Sequence, residues 1–236
     1  QAEDGIRDLV RSRGLGDVYK RQTLFSTLNI DLNSVLGLYY YNSPEFNPYQ
    51  LISYMFMHGG FSHIFFNMFA LWMFGTQIEN LWGPKRFLNY YLITGFGAAF
   101  LHYLIIHFQI SGLESYFTSN QISEIVNSGA FNPSSPLFNK ARMLYGLHHT
   151  PVVGASGAVF GLLLAYGMTY PNQIIYLNLL FPIKAKYFVI IYGLLEFFMG
   201  VQNGSGDNVA HFAHIGGMLF GFLLIKYWKK NDINFY

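Results

Sequence analysis

The chain has 236 residues, of which 52% are hydrophobic, 19% aromatic and only 11% charged, against about 25% charged in typical globular domains. That length fits one domain, but the composition excludes an ordinary soluble one, and a formal charge of +2 is too small to point to nucleic acid. Cysteine is absent, which removes disulfides, thiolate catalysis and zinc–thiolate sites.

Residues 1–22, "QAEDGIRDLVRSRGLGDVYKRQ", hold five of the fourteen Lys/Arg and four of the twelve Asp/Glu. They lack the apolar core of roughly 7–15 residues that a signal peptide needs. They match nothing that follows and look like translated adapter sequence, so a non-native or disordered leader is expected there, with one membrane domain over 23–236. Asp31–Gly60 is aromatic and apolar, but Pro44, Pro48 and Gly59-Gly60 interrupt it. It reads as a structured loop at the membrane surface.

A bilayer core about 30 Å thick needs about 20 apolar residues per helix. Five segments meet or approach that length: Phe61–Ile78, Phe87–Phe108, Val152–Tyr170, Tyr187–Val201 and Val209–Trp228. They predict an all-α polytopic bundle. Lys85-Arg86, Lys184 with Lys186, and Lys226 with Lys229 and Lys230 mark three span ends. All three share one side if the C-terminus is cytoplasmic, as the preference of basic loops for that side requires. The polar stretch from Gln109 to Thr150 then lies outside.

Depth brings distant residues together. Ser156 is the fifth residue of its span and His214 the sixth of its own, both entering from outside. At 1.5 Å per residue they lie roughly 6–8 Å below the outer boundary. His63 and Asn67 stand third and seventh in the first span and share a helix face. Each has a plain structural alternative. A serine in a membrane helix is usually small-residue packing, and a His/Asn pair can simply bond between helices. Membrane histidines weigh more, because ionisable groups there are costly and mark function. Glu196 reads as a protonated, hydrogen-bonded acid and His58 as a structural loop residue. Gly157-x3-Gly161 and Gly217-x3-Gly221 clear grooves for close approach of the third and fifth spans. If those faces meet, His214 comes within reach of Ser156, and a serine hydroxyl needs such a base to become a nucleophile.

The motifs "HGGFSHIFFNMFALWMFG", "GASGAVFGLLLAYG" and "AHFAHIGGMLFG" together resemble the rhomboid family of intramembrane serine proteases, over roughly Asp31 to Trp228. The resemblance implies Ser156 as nucleophile and His214 as general base, a dyad without an acid. It implies Asn67, His63 and the Ser156 N–H as the oxyanion hole, with Gly154 and Gly157 supporting the serine. It implies no metal and no cofactor. Three departures stand out. The family core has six spans where five are read here, as if the first were lost at the leader. Phe160 replaces a tyrosine common one turn after the serine. Tyr49-Gln50 replaces a Trp-Arg pair in the first loop.

The expected activity is hydrolysis of peptide bonds in or beside a substrate's transmembrane helix, at the outer face of a bacterial inner membrane. A helical peptide bond is shielded by its own hydrogen bonds, so membrane-protein substrates with helix-weakening Gly or Pro are the expected partners. The fourth span is a candidate lateral gate. Two rivals remain at this point: a non-catalytic rhomboid-like binder of membrane helices, and a haem or metal protein using His58, His63, His211 and His214.

Overall fold

The computed structural model describes residues 31–177, 181–202 and 210–231. The leader, and the turn expected after Gln202, lie outside the described residues. The described residues begin with α1 (Leu32–Leu36) and α2 (Gln50–Ser53), the latter running into a 3-10 turn at Tyr54–Phe56. Next, α3 (Phe61–Ala70) continues through a π-helical turn (Leu71–Gly75) into α4 (Thr76–Trp82). The long α5 (Pro84–Glu114) follows, then α6 (Ser119–Ser128), α7 (Phe138–His149) and α8 (Ser156–Thr169). A hairpin of β1 (Ile174–Leu177) and β2 (Phe181–Lys184) leads into α9 (Ala185–Gln202), and α10 (His211–Asn231) comes last.

Mostly helical architecture is as expected; the antiparallel hairpin is not, and it corrects the all-α reading. Ile174 pairs with Lys184 and Ile175 with Ile183, so β-branched residues that looked like part of a connecting loop form a short ladder instead. By length and composition, α5 and α9 are the two helices among the described residues that suffice to cross a membrane. At 14 residues, α8 is only about 21 Å long.

That short helix is the centre of the molecule. Gly157 to Leu163 are all buried, as are Ala165, Tyr166 and Gly167. A helix apolar on every side belongs inside, and α8 sits among α5, α9 and α10 with the π turn and α4 beneath it. The main core joins Phe74, Ile78, Tyr90, Leu162, Val189 and Ile225. By contrast, α9 buries only Ala185, Val189 and Glu196. Its Ile190, Leu194, Leu195, Phe197 and Phe198 face outward. A contiguous apolar exterior of this kind suits contact with another apolar phase.

The stretch expected as an outer loop is largely folded. α5 continues to Glu114, and α6 starts at a reciprocal cap in which Thr118 and Gln121 bond each other's backbone. Tyr40, Ile106, Ile110, Ile125, Ala141 and Leu144 form its core. His149 ties the cap down, with Nδ1 2.8 Å from Glu45 Oε1 and Nε2 2.7 Å from Val126 O. Burial works against the charge on Glu45, but hydrogen bonds with Ser43 and His149 prevail and hold its carboxyl below the usual value.

Gln50 fastens the first loop. It is 1% exposed, donates from Nε2 to Val35 O at 3.2 Å and Glu45 O at 3.0 Å, and accepts from Asn47 N at 3.1 Å. Gln50→Leu keeps the bulk and leaves those part-buried backbone groups without their partner, so we expect a loss of about 1 kcal/mol. A lowered melting temperature in detergent, with helix content unchanged, is the measurement.

Candidate active site

Ser156 owes its position to the chain just before it. Leu38 and Val152 exchange backbone hydrogen bonds at 2.8 and 2.9 Å, and Gly154 N–H donates to Tyr54 O at 2.9 Å. These contacts hold residues 152–154 extended, which is why the helix starts at Ser156 and not at Val152 as the hydropathy implied. Gly154 then turns the chain at φ 127°, a conformation that side chains other than glycine rarely adopt. A Cβ there would lie 2.7 Å from His63 Nε2. Ser156 is consequently the first residue of α8, where backbone N–H groups have no partner within the helix and favour negative charge.

His214 is the fourth residue of α10. Its Nε2 lies 2.7 Å from Ser156 Oγ, hydrogen-bond distance for a base and the hydroxyl it would deprotonate. The imidazole stacks on Phe160 with centroids 4.2 Å apart and planes 5° from parallel. Phe160 in turn packs on Tyr192 of α9 at 5.0 Å. Close helix approach makes the pairing possible: a Cβ on Gly217 would collide with the Gly157 carbonyl. The lower glycines serve a different neighbour. Gly161 and Gly221 face Thr94 and Tyr90 of α5, so α5 wedges between α8 and α10 below the site.

His63 comes from α3. Gly59 N–H donates to its Nδ1 at 3.3 Å, which puts the ring proton on Nε2, the atom nearest Gly154. His58 packs edge-on against it at 5.1 Å, and burial beside His63 pushes His58 down to about 4. One turn deeper, Asn67 is buried and donates from Nδ2 to His63 O at 3.0 Å. A side-chain amide has two N–H donors, so one is committed to holding α3 and the other is left for a ligand.

One residue was missing from the expected constellation. Glu196 of α9 is 6% exposed, and its Oε2 lies 2.7 Å from His211 Nδ1 and 2.8 Å from His214 Nδ1. The expectation of a dyad with no acid beside it does not fit this geometry. Glu196 lies six residues before Gln202 at the end of α9, a depth matching that expected for spans entering from outside. Glu196, His211 and His214 offer ligand atoms within 4.8 Å of one another. Here, however, a single carboxylate oxygen touches both rings, the arrangement of shared protons. The metal quartet considered from sequence does not assemble, for His58 and His63 are outside this group.

Comparison with known proteins identifies the family. The family model for the Rhomboid domain matches residues 45–230. The chain is 32% identical over 172 residues to RHOMBOID-like protein 12, mitochondrial, of Arabidopsis thaliana, covering 71% of this chain and 42% of that protein. It is 28% identical over 174 residues to Rhomboid protease AarA of Providencia stuartii, covering 72% and 52%. With Rhomboid protease GluP of Bacillus subtilis the identity is 28% over 176 residues, covering 74% and 25%. The chain thus spans between a quarter and about half of the length of these relatives. It belongs to the rhomboid family, whose members are integral membrane proteins.

Proposed function

We propose that this chain is an intramembrane serine endopeptidase, with Ser156 as nucleophile and His214 as general base. The observation that carries the reading is the 2.7 Å contact between Ser156 Oγ and His214 Nε2 at the first turn of α8. His214 takes the hydroxyl proton as Oγ attacks the scissile carbonyl. The oxyanion that forms meets the Ser156 N–H, His63 Nε2–H and the second Asn67 amide hydrogen. His214 then gives its proton to the leaving amine, the peptide bond breaks, and an ester to Ser156 remains. Water, deprotonated by the same imidazole, releases the acid.

The membrane setting follows from charge. Lys85-Arg86 and Lys186 lie in the first turns of α5 and α9, Lys184 ends β2 just before α9, and Lys229-Lys230 lie in the last turn of α10; with the C-terminus cytoplasmic they share the inner side of five spans. The dyad then lies near the outer face, within reach of water. Substrates are membrane proteins whose transmembrane helix unwinds locally at Gly or Pro, because a helical peptide bond is otherwise protected. The apolar exterior of α9 makes it the side from which such a helix enters.

A fluorophosphonate tests the reading. In detergent micelles the folded chain should become covalently labelled, with the adduct found on Ser156 by peptide mass spectrometry. A folded chain that stays unlabelled, or is labelled elsewhere, overturns it.

A further inference from the structure

We infer that Glu196 is a positioning residue for the same reaction: its carboxylate fixes the tautomer of His214 and makes the relay a triad, Glu196–His214–Ser156. The inference rests on the protease reading and goes beyond its dyad.

One oxygen facing two rings carries the argument. Glu196 Oε2 is within 2.8 Å of both His211 Nδ1 and His214 Nδ1. A protonated Oε2 that donated to His214 Nδ1 could still accept from His211, but it would leave the His214 proton on Nε2, facing the Ser156 oxygen. A carboxylate accepts from both, which requires each Nδ1 to carry its proton. Neutral His214 then has its lone pair on Nε2, facing Ser156 Oγ. That is the tautomer a general base must have. The opposite one would present an N–H to the hydroxyl and could not take its proton.

Phe160 cannot make this choice. Its ring fixes the plane of His214, but both tautomers stack equally well. His211 also has a defined part: its Nδ1 is the second donor, and it holds Oε2 in place from the other side. The burial of all three side chains, at 6–10% relative exposure, excludes the water that would otherwise satisfy either tautomer. When His214 accepts the serine proton, the adjacent carboxylate stabilises the imidazolium, as the acid of a Ser-His-Asp triad does.

The test uses Glu196→Gln, which keeps the shape and removes the charge, and Glu196→Asp, which keeps the charge on a shorter arm. Three quantities are read on the full chain: the rate of fluorophosphonate labelling, kcat and KM for a cleavable transmembrane substrate, and the ¹⁵N imidazole signals of His214. Glu196→Gln should lower kcat and the labelling rate by about 10²- to 10⁴-fold with KM unchanged, the upper end being the effect of the corresponding Asp→Asn change in trypsin-like enzymes. Glu196→Asp should recover part of that loss. In the wild type, His214 should show an Nδ1–H and a bare Nε2. A wild type labelled at Ser156 whose Gln variant reacts equally fast overturns the inference and leaves the protease reading intact. An Nε2–H tautomer in the resting wild type overturns it even if the variants misfold. A wild type that never labels overturns the protease reading, and the triad falls with it.

Discussion

Ser156→Ala and His214→Ala should each lower kcat for a cleavable transmembrane substrate by about 10⁴- to 10⁶-fold, and the double substitution should lower it no further. The two side chains act as one unit. Without the imidazole 2.7 Å from Oγ, the hydroxyl keeps its proton and is a poor nucleophile. Without the hydroxyl, the imidazole has nothing to deprotonate. The lower end of that range is about 5–6 kcal/mol of transition-state stabilisation, and additive behaviour would double it. What survives in both variants is oxyanion stabilisation by α8's first turn, His63 and Asn67. Single-turnover cleavage in proteoliposomes is the measurement. A double variant slower than both singles by another factor of 10² would show two independent contributions rather than one relay.

Gly217→Ala is the second large effect, and it acts through packing alone. The added methyl would lie on the Gly157 carbonyl, with the Gly157 carbonyl carbon only 2.7 Å away. Backbone cannot rotate aside as a flexible side chain could, so α10 must move off α8. Gly157 adjoins Ser156 and Gly217 is three residues from His214, so the displacement falls on the hydroxyl–imidazole contact. Overpacking of this kind costs about 1–3 kcal/mol of stability, and misplacing reacting groups by about 1 Å can cost 10²-fold in rate. We therefore expect kcat to fall by about that factor with a lowered melting temperature. Gly112→Ala is the control: its added Cβ would meet open space, with no atom within 4 Å beyond its own stretch of helix backbone, and in a helix alanine is the better residue by about 1 kcal/mol. It should leave activity unchanged.

What the sequence revealed, and what it hid, divides along physical lines. Periodic apolar runs and residue counts measure depth, and that count predicts one layer for Ser156, His214, His63 and Asn67, of which the structure joins Ser156 and His214 directly. The small residues at 157 and 217 carry the further information that two backbones can touch. Contacts set by distant partners were not legible. Leu38 bonds to Val152 across more than a hundred residues, and that bridge moves the start of α8 to Ser156. The pairing of Ile174–Leu177 with Phe181–Lys184 has too short a pattern to separate from a loop. The cap reads only as a polar outer stretch, although Thr118-x-x-Gln121 is a helix-start signature. Glu196 was visible as a carboxyl in mid-span, but its partners come from another helix, and only a depth count from the far end of α9 would have found them.

In the proposed reaction, the single oxygen held by two rings also governs where charge goes. Before attack, the site carries one negative charge, on Glu196. Once the serine proton has moved to His214, carboxylate and imidazolium offset one another, and the negative charge lies on the oxyanion. No ion enters from water and no new net charge appears in a medium where an isolated ion would cost several kcal/mol or more. Acylation is thus a displacement of one existing charge, from the buried face of α9 to the head of α8, where unpaired peptide N–H groups receive it.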